Sequence, residues 1–296
     1  MVLAGVAGPA AAGAGAGGAP EIGLADLGLL AVLIVLSIAS LAWLTVRGGL
    51  DAVDREGERS RDVAPLSAVG WLIGAGAVWL GHQVAAAFIF SGFSVSLEDD
   101  LAVSISLLGS YVVGCGFGII VVERVSRIAP RAGLRARGRD LWTGPAWLGL
   151  SLPVVLLAGL LAAWVNALAR GEPPEELSHE TLGRIAEGGA ALWVWLTVAA
   201  VTLGAPLLEE IVYRGLLQSG LRRLTGSPWA AVLVTSVVFA AMHVPALSEG
   251  GGYALANLFV LSVFLGIAFE RSRSLGVPVL MHAGFNAFNI ALVRLG

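Results

Sequence analysis

LGLLAVLIVLSIASLAWLTV, residues 27–46, carries no ionisable side chain. A helix of about 20 residues is roughly 30 Å long, which matches the hydrocarbon thickness of a bilayer. Seven further apolar runs follow: Leu66–Phe90, Leu101–Val122, Pro145–Leu168, Ala190–Leu217, Trp229–Val244, Tyr253–Phe269 and Val277–Val293. Unpaired backbone N–H and C=O groups are too costly in lipid for open strands, so all eight runs are expected to be helices. The fold class read from the sequence is therefore all-α, a polytopic membrane bundle of about eight transmembrane helices.

The composition agrees. Only 13% of the residues are charged, against about 25% in a soluble domain. The net charge of −3 says little about partners, and the all-arginine basic residues read as genome composition, not as a nucleic-acid signal. With the Ala/Gly richness this usage points to a bacterial chain in the plasma membrane. Residues 1–20 are a Gly/Ala tract with no positive charge, expected to be a disordered tail rather than a secretory signal. Residues 21–296 are expected to form one membrane domain. Cys115 lies in an apolar run and reads as a buried, inert thiol.

The charges between the runs alternate. Arg47, Arg55, Arg59 and Arg61 precede the second span, and Arg124, Arg127, Arg131, Arg135, Arg137 and Arg139 precede the fourth. Arg222 and Arg223 precede the sixth, and Arg271 and Arg273 the eighth. The loop ending in Glu98, Asp99 and Asp100 has no arginine, and the one with Glu172, Glu175, Glu176 and Glu187 is mainly acidic. Arginine collects in cytoplasmic loops, so the alternation places the odd-numbered loops in the cytoplasm and the N-terminus outside.

Ionisable groups inside a span are costly and call for a reason. The fifth span has three in six residues: Glu209-Glu210-Ile211-Val212-Tyr213-Arg214. Glu210 and Arg214 are four apart and share a helix face, so they are expected to pair. Glu209 points about 100° away and can face a wet cavity as a general base. A lock between helices would need only one acid. The sixth span holds Phe239-Ala240-Ala241-Met242-His243, and the eighth His282-Ala283-Gly284-Phe285-Asn286, with His282 and Asn286 on one face. His82, alone in the second span, reads as structural or interfacial, and His179 as solvated.

Glu-Glu-x-x-x-Arg, Phe-x-x-x-His and His-x-x-x-Asn on successive membrane segments resemble the CPBP family. It contains the type II CAAX prenyl endopeptidases and proteins linked to bacteriocin processing and self-immunity. The likeness covers roughly residues 190–296 and implies a glutamate-type, metal-independent intramembrane endopeptidase with no cofactor. By that likeness Glu209 and His243 would activate water, and His282 and Asn286 would stabilise an oxyanion. Glu210 and Arg214 would orient the first carboxylate. The partners implied are a peptide or lipidated protein substrate and the lipid bilayer.

Three other readings compete. One is a non-catalytic immunity or scaffold protein of the same fold. Another is a zinc peptidase using Glu and two His, weakened by the lack of an H-E-x-x-H helix. The third is a proton-coupled transporter, against which the lack of internal repeats counts. Depth poses a separate problem. Counted from the starts of their spans, His243 lies about 20 Å deep and His282 about 8 Å. Staggered span starts, tilt, or breaks near Pro206 and Pro245 would be needed to bring them together.

Overall fold

In the computed structural model the described residues are 24–47, 60–92, 99–170, 180–247 and 251–295. The expected tail, Arg55, Arg59, His179 and much of the acidic loop lie outside them. Among the described residues every regular element is helical, and eight helices are long and apolar enough to cross a bilayer. The chain is thus an all-α polytopic membrane bundle.

Four helices fill the first half: α1 (Leu24–Val46), α2 (Ala68–Gly92), α3 (Asp100–Ile128) and α4 (Asp140–Arg170). A short amphipathic helix, α5 (Glu180–Glu187), leads into the long α6 (Leu192–Thr225). Then come α7 (Pro228–Met242), α8 (Ala254–Ser272) and α9 (Gly276–Leu295). The most enclosed is α8, whose apolar face meets α4, α7 and α9 through Leu261, Phe264, Leu265, Val232 and Met281. On the other side α2 and α3 pack on α6 through Trp71, Val78, Ile211 and Leu216, while α1 lies on α4. Packing against protein on one face and an apolar exposed face on the other is what the runs of uninterrupted hydrophobic sequence allow.

Helix α6 is not uniform. It widens into π-helical turns at Ala200–Gly204 and again at Ile211–Gln218, with an ordinary α stretch, Ala205–Glu210, between them. The first widening follows from Pro206. The Ala205 N–H bonds Ala200 O, five residues back, so it does not take the Val201 carbonyl. Proline at 206 has no N–H to offer that carbonyl either. The Val201 oxygen is left for a side chain on another helix. Such π turns are found mostly at functional sites.

The charged loops sort to two ends. Asp62 N–H bonds Arg131 O, and Arg139 bonds Ser272 O. Arg271 reaches Arg47 O. At this end Arg61 is fully buried over the Phe269 ring, at 3.7 Å. Its Nε donates to Ala132 O at 2.7 Å and its Nη1 to Glu270 at 2.6 Å, and it also meets Ser219. Glu270 additionally takes Gln218 and Arg222. Burial pushes the Arg61 guanidinium down to about 10, so it stays charged at neutral pH opposite Glu270. At the opposite end Arg184 pairs with Asp100. The odd loops therefore gather at one end, as the arginine alternation requires.

The turn between α8 and α9 is set deep. Ser274, Leu275 and Val277 are buried, covered by Ala129, Ala132 and Leu134 of the loop after α3. Ser274 Oγ donates to Asp140 Oδ2 at 2.5 Å. Gly133, at φ 83°, lies so close to the backbone of Arg273 that a Cβ would stand 3.0 Å from its carbonyl carbon. Whatever their depths counted from the span starts, His243 and His282 line one cavity, so the depth conflict does not keep them apart.

Candidate active site

Glu210 and Arg214 lie on one face of α6, and both are wholly buried. Arg214 Nη1 donates to Glu210 Oε1 at 3.0 Å, and its Nη2 to Ser262 Oγ of α8 at 2.8 Å. The guanidinium stands 4.6 Å from the Phe239 ring centre. The same Glu210 oxygen accepts a hydrogen bond from His282 Nδ1 at 2.9 Å. One carboxylate therefore ties α6, α8 and α9 together. Ser262 takes the second guanidinium nitrogen, while Glu210 Oε2 and Arg214 Nε have no hydrogen-bond partner among the described residues.

Glu209 faces the other way, onto a cavity of about 540 Å³. Its Oε2 is buried and stands 3.7 Å from His243 Nε2, while the two side chains as a whole are 21% and 19% exposed to the cavity. His243 caps α7, and its Nδ1 donates to Phe239 O at 2.8 Å. A carbonyl only accepts, so Nδ1 carries the proton and Nε2 of the neutral ring is a bare acceptor. Glu209 Oε2 has no hydrogen-bond partner among the described residues.

His282 and Asn286 also line this cavity, whereas Glu210 and Arg214 stand behind it. Asn286 Nδ2 donates to the Val201 carbonyl, at 2.9 Å, the oxygen that the π turn and Pro206 release. That bond uses one of the two amide hydrogens and fixes the side chain. Phe239 is the common wall. Its ring centre lies 4.5 Å from that of His243 and 5.7 Å from that of His282, and the phenylalanine is fully buried.

Sequence reasoning missed several residues. Ser262 gives no signal, since a serine in an apolar helix is ordinary. His82, read as structural or interfacial, bonds Ser110 O of α3 and also lines the cavity, with Trp79 of α2 and Tyr111 of α3. Tyr213 lines the same cavity. Among the described residues no three His, Cys, Asp or Glu side chains gather as a metal-ligand set.

Residues 191–288 match the family model described as type II CAAX prenyl endopeptidase Rce1-like. That stretch contains all three motifs, and the match agrees with the resemblance they carry. An Escherichia coli protein named "Uncharacterized 24.3 kDa protein" is 34% identical over 90 residues, which are 30% of this chain and 40% of that protein. The chain thus spans well under half the length of this curated relative. No solved structure matches it.

Proposed function

We propose that this chain is a membrane-embedded endopeptidase that hydrolyses a peptide bond in a membrane-associated or lipidated peptide, with Glu209 as general base. The carrying observation is that Glu209 and His243 line one cavity with Glu209 Oε2 3.7 Å from His243 Nε2, a carboxylate beside a bare imidazole nitrogen. A water in the cavity beside them can donate to the Glu209 carboxylate and to His243. Water held there loses a proton to Glu209 as its oxygen attacks the peptide carbonyl carbon. The carbonyl oxygen becomes an oxyanion facing the second amide hydrogen of Asn286 and the His282 ring. Because His282 Nδ1–H is committed to Glu210, the ring offers a second N–H only as the imidazolium, with Glu210 as counter-charge. When the C–N bond breaks, Glu209 returns its proton to the leaving amine.

In this reading residues 190–296 are the peptidase core of a single membrane domain spanning 21–296. The hydrophobic cluster shared by α2, α3 and α6 supports treating it as one body. The chemistry is taken as metal-free on the family likeness, with Glu209 beside His243 and Glu210 bonded to His282.

The test uses purified full-length protein in lipid nanodiscs with a panel of peptides. It includes peptides ending in a prenylated cysteine followed by three residues, and their unlipidated twins. Mass spectrometry should find internal cleavage of at least one, undiminished by a chelator. Inactivation by chelator with rescue by zinc would instead assign a metallopeptidase. Tight binding without cleavage across the panel would assign the non-catalytic immunity or scaffold reading.

A further inference from the structure

Helix α6 presents Glu209 between two walls. One is α9, with His282 and Asn286; the other is formed by α2 and α3, which lie outside the family-matched residues. Two aromatic rings form the centre of that second wall. His82 stacks on Tyr111 with ring centres 5.0 Å apart and planes 20° from parallel. Both rings are seated in notches that only glycine permits. A Cβ at Gly114 would stand 2.7 Å from His82 Nδ1, and a Cβ at Gly204, in the π turn of α6, would stand 2.7 Å from Tyr111 Cβ. Both rings and Glu209 line the same cavity.

The hydrogen bonding of His82 sets its chemistry. Nδ1 lies 3.2 Å from Ser110 O, which can only accept, so Nδ1 carries the hydrogen. Nε2 of the neutral ring is then an acceptor, with no protein partner among the described residues. A peptide entering a cavity inside the bilayer brings N–H groups that need acceptors, because an unpaired one is costly there. In a trans peptide unit the C=O and N–H point in opposite directions. A unit whose carbonyl is turned to His282 and Asn286 on α9 turns its N–H to the α2–α3 wall.

We propose that His82 is a substrate-binding residue whose Nε2 accepts the N–H of the scissile peptide unit, with Tyr111 holding the ring in place. This rests on the endopeptidase reading and assigns a part of the site to the first half of the chain.

The experiment measures binding to Glu209→Gln protein in nanodiscs, which does not turn substrate over. The probes are the best-cleaved peptide of the panel above and a copy with the scissile N–H replaced by an ester oxygen. With His82 intact, the ester should bind about tenfold more weakly than the amide, the usual size of one lost hydrogen bond. With His82→Phe added, which keeps the stack on Tyr111, amide and ester should bind alike and as weakly as the ester did before. Gly114→Ala, which displaces the imidazole without altering it, should also erase the difference. It serves as the second variant should His82→Phe fail to fold. An ester penalty of equal size with and without His82, or no penalty at all, overturns the assignment while leaving the peptidase reading intact. If no peptide is cleaved by the wild type, both fall.

Discussion

Glu209 and Glu210 are neighbours in the chain with opposite surroundings. Glu210 is sealed behind the cavity wall between Arg214 and His282, while Glu209 meets the cavity with one oxygen unpartnered. Asn286 combines two tasks, since one amide hydrogen holds the Val201 carbonyl and the other is available to an oxyanion. Asn286→Ala should therefore lower kcat by about 10²–10³ with a smaller change in KM. Steady-state kinetics on the cleaved peptide check this, and a change confined to KM would remove Asn286 from the oxyanion role. Much at this scale was legible in advance. Spacing of four along a helix was enough to pair Glu210 with Arg214, and helical geometry to turn Glu209 away. The bond from His282 to Glu210, and the part of Ser262 in holding Arg214, were not legible. They join residues 72 and 48 positions apart, and no local pattern encodes which helices meet.

Among the elements, α6 decides the site. Its apolar run and Pro206 gave away a spanning helix with a break. The first π turn frees the Val201 carbonyl for the tertiary partner Asn286, so the sequence pattern alone left kink and widening open. Likewise the loop after α3 covers Ser274 and Leu275 at the start of α9, a contact that hydropathy cannot see. Gly204 lies in the first π turn, and Tyr111 packs against it. Gly204→Ala should destabilise the protein by about 1–3 kcal/mol through overpacking, seen as a lower thermal midpoint in nanodiscs. Activity should fall with it, because Tyr111 is pushed against the cavity. An alanine variant with unchanged stability would show that the contact is slack.

For the whole molecule, the alternation of arginine predicts orientation as well as order. The Arg61, Arg131, Arg222 and Arg271 segments should face the cytoplasm, in a plasma membrane, with the N-terminus outside. Cysteine labelling on a Cys115→Ala background is feasible, since Cys115 is the only cysteine and its thiol is buried. Arg131→Cys should react with an impermeant maleimide only after cells are opened, and labelling in intact cells would invert the topology. The central claim, that this bundle hydrolyses peptides through Glu209, has a sharper test. A carboxamide has nearly the shape of a carboxylate but takes no proton near neutral pH. The initial rate of cleavage of one peptide should be compared for wild type and Glu209→Gln, both in nanodiscs and shown to bind it equally. The account predicts loss of turnover with binding retained; cleavage by Glu209→Gln at the wild-type rate would contradict it.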